Sequence, residues 1–331
     1  MEYFPRIADK LIAERLEYAR AVLIEGPKWC GKTWAAANAS RSKLYMQDPD
    51  CQESYRELAK ASPSVLLKGE TPRLIDEWQM SPNLWDAVRF EVDKRGLPGQ
   101  FILTGSSVPV EGATAHSGTG RISRLAMRPM SLQESMESSG DVSLSALFAG
   151  ELDIFGHNAC NNLEHLAFLI CRGGWPSSIR LKERQALGVA RDYIQAIIHQ
   201  DIPRLDGVER NPGRLSSLLR SLARNTTTLV TGTTLMEDIA ANDISITYKT
   251  FQDYLSALRR LFVIEDMPAW SPSLRSKTAI RTSEKRHFTD PSLAVASMGA
   301  TPNMLMKDLV AFGFLFESLC ARYMRTYMEA L

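Results

Sequence analysis

Eight residues near the start of the chain have the types and the spacing of a phosphate-binding loop. They follow the apolar run 21–24, match the pattern G-x-x-x-x-G-K-[ST], and are Gly26, Pro27, Lys28, Trp29, Cys30, Gly31, Lys32 and Thr33. The two glycines let the backbone curl so that successive N–H groups point at phosphate oxygens. Lys32 would neutralise the β- and γ-phosphates, and the Thr33 hydroxyl would ligate Mg²⁺. We therefore predict a site for ATP and Mg²⁺ at the start of a helix, whose dipole also attracts phosphate.

Two carboxylates follow another short apolar segment, RLIDEW. Asp76 would stand at the tip of a strand and hold the Mg²⁺ shell, and Glu77 beside it would orient and polarise the attacking water. Because adjacent carboxylates repel, a nearby metal ion is a natural reason to tolerate both at one strand end. The alternative is a polar loop after a strand. The pair favours hydrolysis over phosphorylation of a bound small molecule.

Two later segments carry polar groups that could reach the γ-phosphate. The apolar run 100–106 ends in Thr104, Gly105 and Ser106, and either hydroxyl would sense the γ-phosphate if this strand lay between the other two. The alternative there is a tight turn with ordinary hydroxyl caps. Arg121 follows a glycine-rich segment and would act as an arginine finger, in cis or from a neighbouring subunit of a homo-oligomer. An arginine on an exposed strand is the alternative.

Short apolar runs alternate with helical patterns through the first 150 residues. We predict strands at 21–24, 43–48, 73–75 and 100–106. Amphipathic helices are indicated at 7–20 and 83–93, with apolar residues at helical spacing. This alternation predicts an α/β nucleotide-binding domain over residues 1–150.

The second half of the chain is dominated by helical patterns. We predict a helical lid or linker over residues 151–212. Residues 213–270 contain three helical segments and then an apolar strand, the order of a winged helix-turn-helix. In the third helix, the polar positions predicted to face outward are Lys249, Gln252, Arg259 and Arg260. Since the basic excess over 180–260 is only three, a protein partner is as well supported as double-stranded DNA.

Five motifs occur together in one order along the chain: GPKWCGKT, PRLIDEWQ, FILTGSS, HSGTGR with RPMSLQES, and RGGWP. In this combination the chain resembles the prokaryotic AAA-type ATPases that carry a C-terminal domain of unknown function 4143. The resemblance implies a P-loop NTPase of the AAA-like, additional-strand class, a three-layer sandwich followed by a helical segment and a winged helix. It also implies that residues 271–331 are the start of a truncated restriction-endonuclease-like domain, so we expect no nuclease activity.

Composition and charge limit the partners and the compartment. A net charge of +1 over 331 residues gives no global attraction to nucleic acid or membranes. The five cysteines are odd in number and form no C-x-x-C pair, as expected for free thiols in a reducing compartment. The charged N-terminus has no signal-peptide pattern, and no apolar run approaches the roughly 18 residues of a membrane span. We expect a cytoplasmic protein with no membrane partner.

Two functions of different classes are consistent with these patterns. The first is Mg²⁺-dependent ATP hydrolysis that drives a conformational switch, with duplex DNA as one candidate partner. The second is a nucleotide-gated DNA-binding or scaffold protein with negligible turnover, favoured by the winged-helix order and the basic run 271–286. A small-molecule P-loop kinase is a third and weaker candidate.

Overall fold

The computed structural model describes residues 3–107, 117–151, 156, 162–241, 246–272 and 284–331. The chain divides into two compact units, the first ending at Arg128 and the second beginning at Pro129. This boundary differs from the one predicted at residue 150. The reason is that Met130 already belongs to the second unit, where its N–H donates to the carbonyl of Gly174 at 2.7 Å.

The first unit contains a five-stranded parallel sheet in the order β2-β3-β4-β1-β5. Its strands are β1 (Ala21–Glu25), β2 (Ser42–Tyr45), β3 (Arg73–Asp76), β4 (Phe101–Gly105) and β5 (Ile122–Ala126). Thus β4 lies between β1 and β3, which is the arrangement that the additional-strand class requires. Parallel strands need crossover connections, and helices supply most of them here.

Helices cover both faces of this sheet. They are α1 (Ile7–Tyr18), α2 (Lys32–Ala39), α3 (Gln52–Ala61), α4 (Pro63–Leu66) and α5 (Asn83–Arg95). Side chains alternate across a strand, so Leu23 of β1 enters the apolar cluster that includes Trp85 of α5, whereas Ile24 enters the cluster that includes Ile12 of α1. Two apolar clusters on opposite faces of one sheet make the three-layer sandwich that the family resemblance implies.

The second unit is mainly helical. Its helices are α6 (Leu144–Phe148), α7 (Leu163–Arg172), α8 (Glu183–Ala196), α9 (Ile202–Asp206), α10 (Pro212–Arg224), α11 (Gly232–Ala240), α12 (Tyr248–Arg260), α13 (Pro291–Met298), α14 (Pro302–Leu305) and α15 (Leu309–Met328). Strands β6 (Ile264–Met267) and β7 (Lys285–Phe288) form an antiparallel pair. No helix within the described ranges has the length and apolar character needed to cross a membrane.

One apolar core runs through most of this unit and contains residues from Ala167 to Leu319. The segments predicted as three separate parts, 151–212, 213–270 and 271–331, all contribute to it. For example, α13 packs against α7, α8 and α10. The structure therefore departs from the predicted division because the apolar faces of these segments cover one another.

The helices α10, α11 and α12 are followed by β6 and β7, which is the predicted order of elements. The winged helix itself stays a prediction. Two of its supposed outward cations are involved in ion pairs within the unit: Arg259 binds Asp266 at 2.5 Å and Arg260 binds Asp206 at 2.9 Å. The prediction that both arginines face a partner is therefore not supported, since each is already neutralised. Most of the basic run, 273–283, lies outside the described residues.

A buried polar network in the second unit joins two of the sequence motifs, RPMSLQES and RGGWP, to Asp290 and Arg322. The carboxylate of Asp290, which has no solvent exposure, accepts hydrogen bonds from the backbone N–H groups of Gly174 and Ser292, each at 2.9 Å. The buried guanidinium of Arg322 pairs with the same carboxylate and also donates to the carbonyl of Met130 at 3.2 Å. A buried charge is tolerated only when it is paired in this way.

His287 on β7 has its imidazole buried, with Nδ1 3.2 Å from the hydroxyl oxygen of Ser318. Burial lowers the pKa of His287, and the positive charge of Arg325 lowers it further, although the carboxylate of Glu265 acts in the opposite direction. The protonated form is therefore disfavoured in the folded unit.

We expect this histidine to make the second unit less stable in mild acid. As the pH falls through about 6.5, the unfolded chain takes up a proton that folded His287 resists, so the free energy of unfolding decreases. The urea concentration at the unfolding midpoint should therefore fall less between about pH 7.5 and about pH 5.5 in His287→Gln than in the wild type. Equal shifts in the two proteins would assign the pH dependence to other groups.

Candidate active site

The phosphate-loop sequence connects the end of β1 to the start of α2, and glycine is required at its first position. Gly26 has φ of 152°, and a Cβ atom there would lie 2.1 Å from the carbonyl oxygen of Met127. Gly31 caps α2 with φ of 100°, which is also a conformation that favours glycine. The loop therefore turns tightly against the strand end and enters the helix directly.

The cationic side chain of Lys32 lies under this turn. Its Nζ donates hydrogen bonds to the carbonyl oxygens of Gly26 at 2.9 Å and Pro27 at 2.8 Å, and the side chain is buried. Cys30 is fully buried, whereas Lys28 is half-buried and Trp29 is exposed. A positive charge held by the carbonyls of a glycine turn, at the start of a helix, is suited to binding phosphate oxygens.

Asp76 at the end of β3 is the centre of the site. One of its oxygens, Oδ1, accepts hydrogen bonds from the hydroxyls of Thr33 at 2.7 Å and Thr104 at 2.6 Å. The other, Oδ2, accepts from the side-chain amide of Gln47 at 3.3 Å. Asp76 and Thr104 have no solvent exposure. The buried carboxylate is therefore held by protein hydrogen bonds on both of its oxygens.

Glu77 leaves the strand in a left-handed conformation with φ of 54°, and its carboxylate has different partners from that of Asp76. Its Oε2 accepts a hydrogen bond from the Ser106 hydroxyl at 3.0 Å and another from the Gln79 amide. Its backbone N–H donates to the hydroxyl of Thr104 at 3.2 Å. A non-glycine residue with positive φ carries a conformational cost, and here three side chains hold it in place.

Parallel pairing explains why residues far apart in the sequence meet here. Ile24 of β1 lies opposite Thr104 of β4, and Ile75 of β3 lies opposite Leu103. The carboxyl ends of these three strands therefore share one edge of the sheet. The predicted residues that the structure brings together at this edge are Lys32, Thr33, Asp76, Glu77, Thr104 and Ser106.

Arg121 is not brought to this edge. It immediately precedes β5, and its carbonyl accepts the N–H of Ala21 at the start of β1. It therefore lies at the opposite edge of the sheet. At 3.3 Å per residue, the length of β1 separates it from the phosphate loop by about 15 Å. Its guanidinium pairs with Asp93 at 2.8 Å and lowers the pKa of that carboxyl. The expected cis arginine finger is therefore not supported for this residue, because it comes before a strand that runs parallel to β1.

Sequence reasoning missed three residues that support the site. Gln47 follows β2 and Gln79 follows Glu77, and each side-chain amide donates to one of the two carboxylates. The third is Arg6, whose buried side chain donates to the carbonyls of Cys30 at 2.7 Å and Arg128 at 2.8 Å. Gln47 could have been found, since it lies at the same strand edge as the motifs, but Arg6 has no local sequence signal.

Replacing Arg6 with methionine is expected to loosen the phosphate loop. Methionine keeps a long, unbranched side chain but removes both hydrogen-bond donors, which should lower the free energy of unfolding by about 1–3 kcal/mol. We expect ATP affinity to fall several-fold, because the Cys30 carbonyl would lose its anchor. Isothermal titration with ATP and thermal unfolding measure the two effects. The exposed Arg56, which pairs with Glu53 on α3, gives the control Arg56→Met, and equal losses in both variants would contradict the prediction.

The chemistry of these groups fits a magnesium–triphosphate complex. The hydroxyl of Thr33 and the carboxylate of Asp76 are hard oxygen ligands within hydrogen-bond distance of each other. Lys32 supplies the neighbouring positive charge, and the backbone of the loop supplies N–H donors. Within the described residues, no group of three or more histidine, cysteine, aspartate or glutamate residues suggests a protein-only metal site.

A comparison with known families matches residues 18–136 to a model described as an AAA domain. These residues are therefore similar to AAA domains. A solved structure, the Walker-type ATPase PABY2304 of Pyrococcus abyssi, aligns with a TM-score of 0.53 and 15% sequence identity over 89% of this chain and 96% of that chain. This likeness shows the fold alone, and it agrees with the α/β P-loop NTPase sheet described above.

A later segment of the chain matches a different family from the one expected. Residues 163–303 match a domain of unknown function (DUF8612), where the resemblance had implied domain 4143. The chain is also 23% identical over 344 residues to the uncharacterized proteins Rv2008c of Mycobacterium tuberculosis and Mb2031c of Mycobacterium bovis. These alignments cover 98% of this chain and 69% of each relative.

Proposed function

We propose that the chain is a Mg²⁺-dependent ATPase. The observation that carries this proposal is the pair of short hydrogen bonds from Thr33 and Thr104 to one oxygen of Asp76. They connect the phosphate loop, the carboxylate and the central strand in one buried group. The AAA-type match and the fold of a Walker-type ATPase support the same activity.

Each residue at this edge has a distinct role in the proposed reaction. The backbone of the loop and Lys32 bind the triphosphate, while Thr33 and Asp76 provide oxygen ligands for the metal. Mg²⁺, when bound, neutralises charge on the β- and γ-phosphates. Glu77 is the group that accepts a proton from, or orients, the attacking water, because it is the carboxylate that does not bind Thr33. Ser106 and Gln79 hold that carboxylate in position.

We further propose that Thr104 carries the state of the nucleotide to the rest of the domain. Its hydroxyl donates to the carboxylate of Asp76 and accepts from the backbone N–H of Glu77, so it contacts both acidic residues at once. A change in charge at the γ-phosphate would therefore alter two hydrogen bonds on adjacent strands. P-loop switches order and release segments in this way.

The alternative of a DNA-binding or scaffold protein without turnover has weaker support. The helix order α10–α12 with β6 and β7 is compatible with a winged helix. However, Arg259 and Arg260 bind Asp266 and Asp206, so these two cations have little to offer a phosphate backbone. Duplex DNA is therefore an additive to test in the ATPase assay. Stimulation of turnover by DNA would favour DNA as a binding partner of the chain.

The test is phosphate release from ATP by the purified chain, measured with Mg²⁺ and with EDTA. We expect turnover with Mg²⁺ and loss of turnover with EDTA. ATP binding without turnover under both conditions would favour the scaffold alternative. Absence of ATP binding in the presence of Mg²⁺ would overturn the proposal.

A further inference from the structure

Two tryptophans on the phosphate loop and the following helix are exposed, whereas most others are buried. Trp78, Trp85 and Trp175 are at most 3% exposed. By contrast, Trp29 in the loop is 48% exposed and Trp34 in the first turn of α2 is 52% exposed. A large aromatic side chain contributes much apolar area to a contact, so the exposed indole of Trp34 beside the candidate ligand site suggests a contact with that ligand.

The faces of α2 show where Trp34 points. Ala35 and Ala36 are fully buried against the sheet, and the Thr33 hydroxyl is directed to Asp76. Trp34 and Asn38, four residues apart and both exposed, therefore occupy the solvent face of the helix. The side chain of Trp34 leaves the same first turn of α2 whose N–H groups attract phosphate, and it lies on a different face from the hydroxyl of Thr33, which binds Asp76.

A nucleoside is joined to its phosphates by a single ester linkage and must therefore lie close to that first turn. We propose that Trp34 is the stacking surface for the nucleobase, with Trp29 on the loop extending the same aromatic surface. This inference rests on the proposed binding of ATP at the loop. Stacking on an indole face tolerates different bases, because every base has a π-face. ATP and GTP are therefore expected to bind with affinities within about threefold of each other.

The experiment compares ligands with and without a base. ATP and inorganic tripolyphosphate are titrated, each with Mg²⁺, into the wild type, Trp34→Ala and Trp34→Phe. Trp34→Ala should weaken ATP about tenfold and leave tripolyphosphate unchanged, whereas Trp34→Phe should keep most of the ATP affinity. The matched control is Trp270→Ala, since Trp270 is 83% exposed and lies in the second unit. It should bind both ligands as the wild type does.

The results separate the inference from the function on which it rests. Equal weakening of ATP and tripolyphosphate in Trp34→Ala would mean that the residue supports the loop, and would overturn the stacking role. Unchanged ATP affinity in Trp34→Ala would overturn it as well, while leaving ATP binding established. If the wild type bound neither ligand, the proposed function would fail and the inference with it.

Discussion

Glu77→Gln is expected to lower kcat for ATP hydrolysis by about 10²–10³-fold, while the affinity for ATP stays within about twofold of the wild type. The glutamine has nearly the same shape and can still accept a hydrogen bond from Ser106. It cannot take a proton from water or carry the negative charge that polarises it. The loss should therefore fall on turnover and spare binding, which depends on Lys32, Thr33 and Asp76. Phosphate-release kinetics and equilibrium titration with ATP measure the two quantities.

A second glutamate provides a matched control for this substitution. Glu53 lies on α3 and forms an exposed ion pair with Arg56 at 2.7 Å, and it has no role in the proposed reaction. Glu53→Gln should retain the wild-type kcat. If Glu77→Gln also retained it, another group would have to act on the water. If it abolished ATP binding together with turnover, Glu77 would be better described as part of the binding site.

Arg322→Met is expected to destabilise the second unit by about 3–5 kcal/mol. The substitution keeps the volume of the long side chain, but it leaves the Asp290 carboxylate buried with only the backbone N–H groups of Gly174 and Ser292. An uncompensated buried charge is costly because the low-dielectric interior solvates it poorly. Hydrogen exchange at the amides of α13 reports the opening of this unit specifically, and its protection should fall accordingly.

The control is an arginine with the same kind of partner at the surface. Arg224 is 70% exposed and lies 3.4 Å from Asp238. Because exposed pairs contribute only about 0–1 kcal/mol, Arg224→Met should change exchange protection little. Restoring neutrality with Arg322→Met and Asp290→Asn together should recover part of the loss. Similar protection in Arg322→Met and in the wild type would show that the buried pair is not needed for stability.

The strand, glycine turn and helix of the candidate loop, and the strand-end position of the two carboxylates, could be predicted because each is a local pattern. Strand, glycine turn and helix follow one another within residues 21–39, and Asp76 and Glu77 directly follow a short apolar strand. Such patterns depend on backbone conformation and strand length, which neighbouring residues decide. The alternation of apolar runs and amphipathic helices likewise predicted a covered parallel sheet.

The positions of single cations could not be predicted in this way. Arg121 stands next to two glycines, yet the direction of β5 places it at the opposite edge of the sheet, beside Asp93. Arg259 and Arg260 have helical spacing that suits an outward face, but Asp266 and Asp206 reach them from other elements. A long charged side chain can turn toward whichever carboxylate the fold brings near. The spacing of residues along the sequence therefore does not determine which carboxylate it pairs with.

The sequence by itself determined the residue types of the candidate site: a glycine loop, a lysine, a hydroxyl and two carboxylates with the spacing expected of a nucleotide site. Only the tertiary structure decided which groups share it. It placed β4 between β1 and β3, so that Thr104 meets Asp76, and it brought Arg6 under the loop. It also joined segments between residues 167 and 319 into one core. The physical reason is that motifs arise from neighbouring residues, whereas strand order, ion pairs and cores are set by burial and charge pairing over long separations.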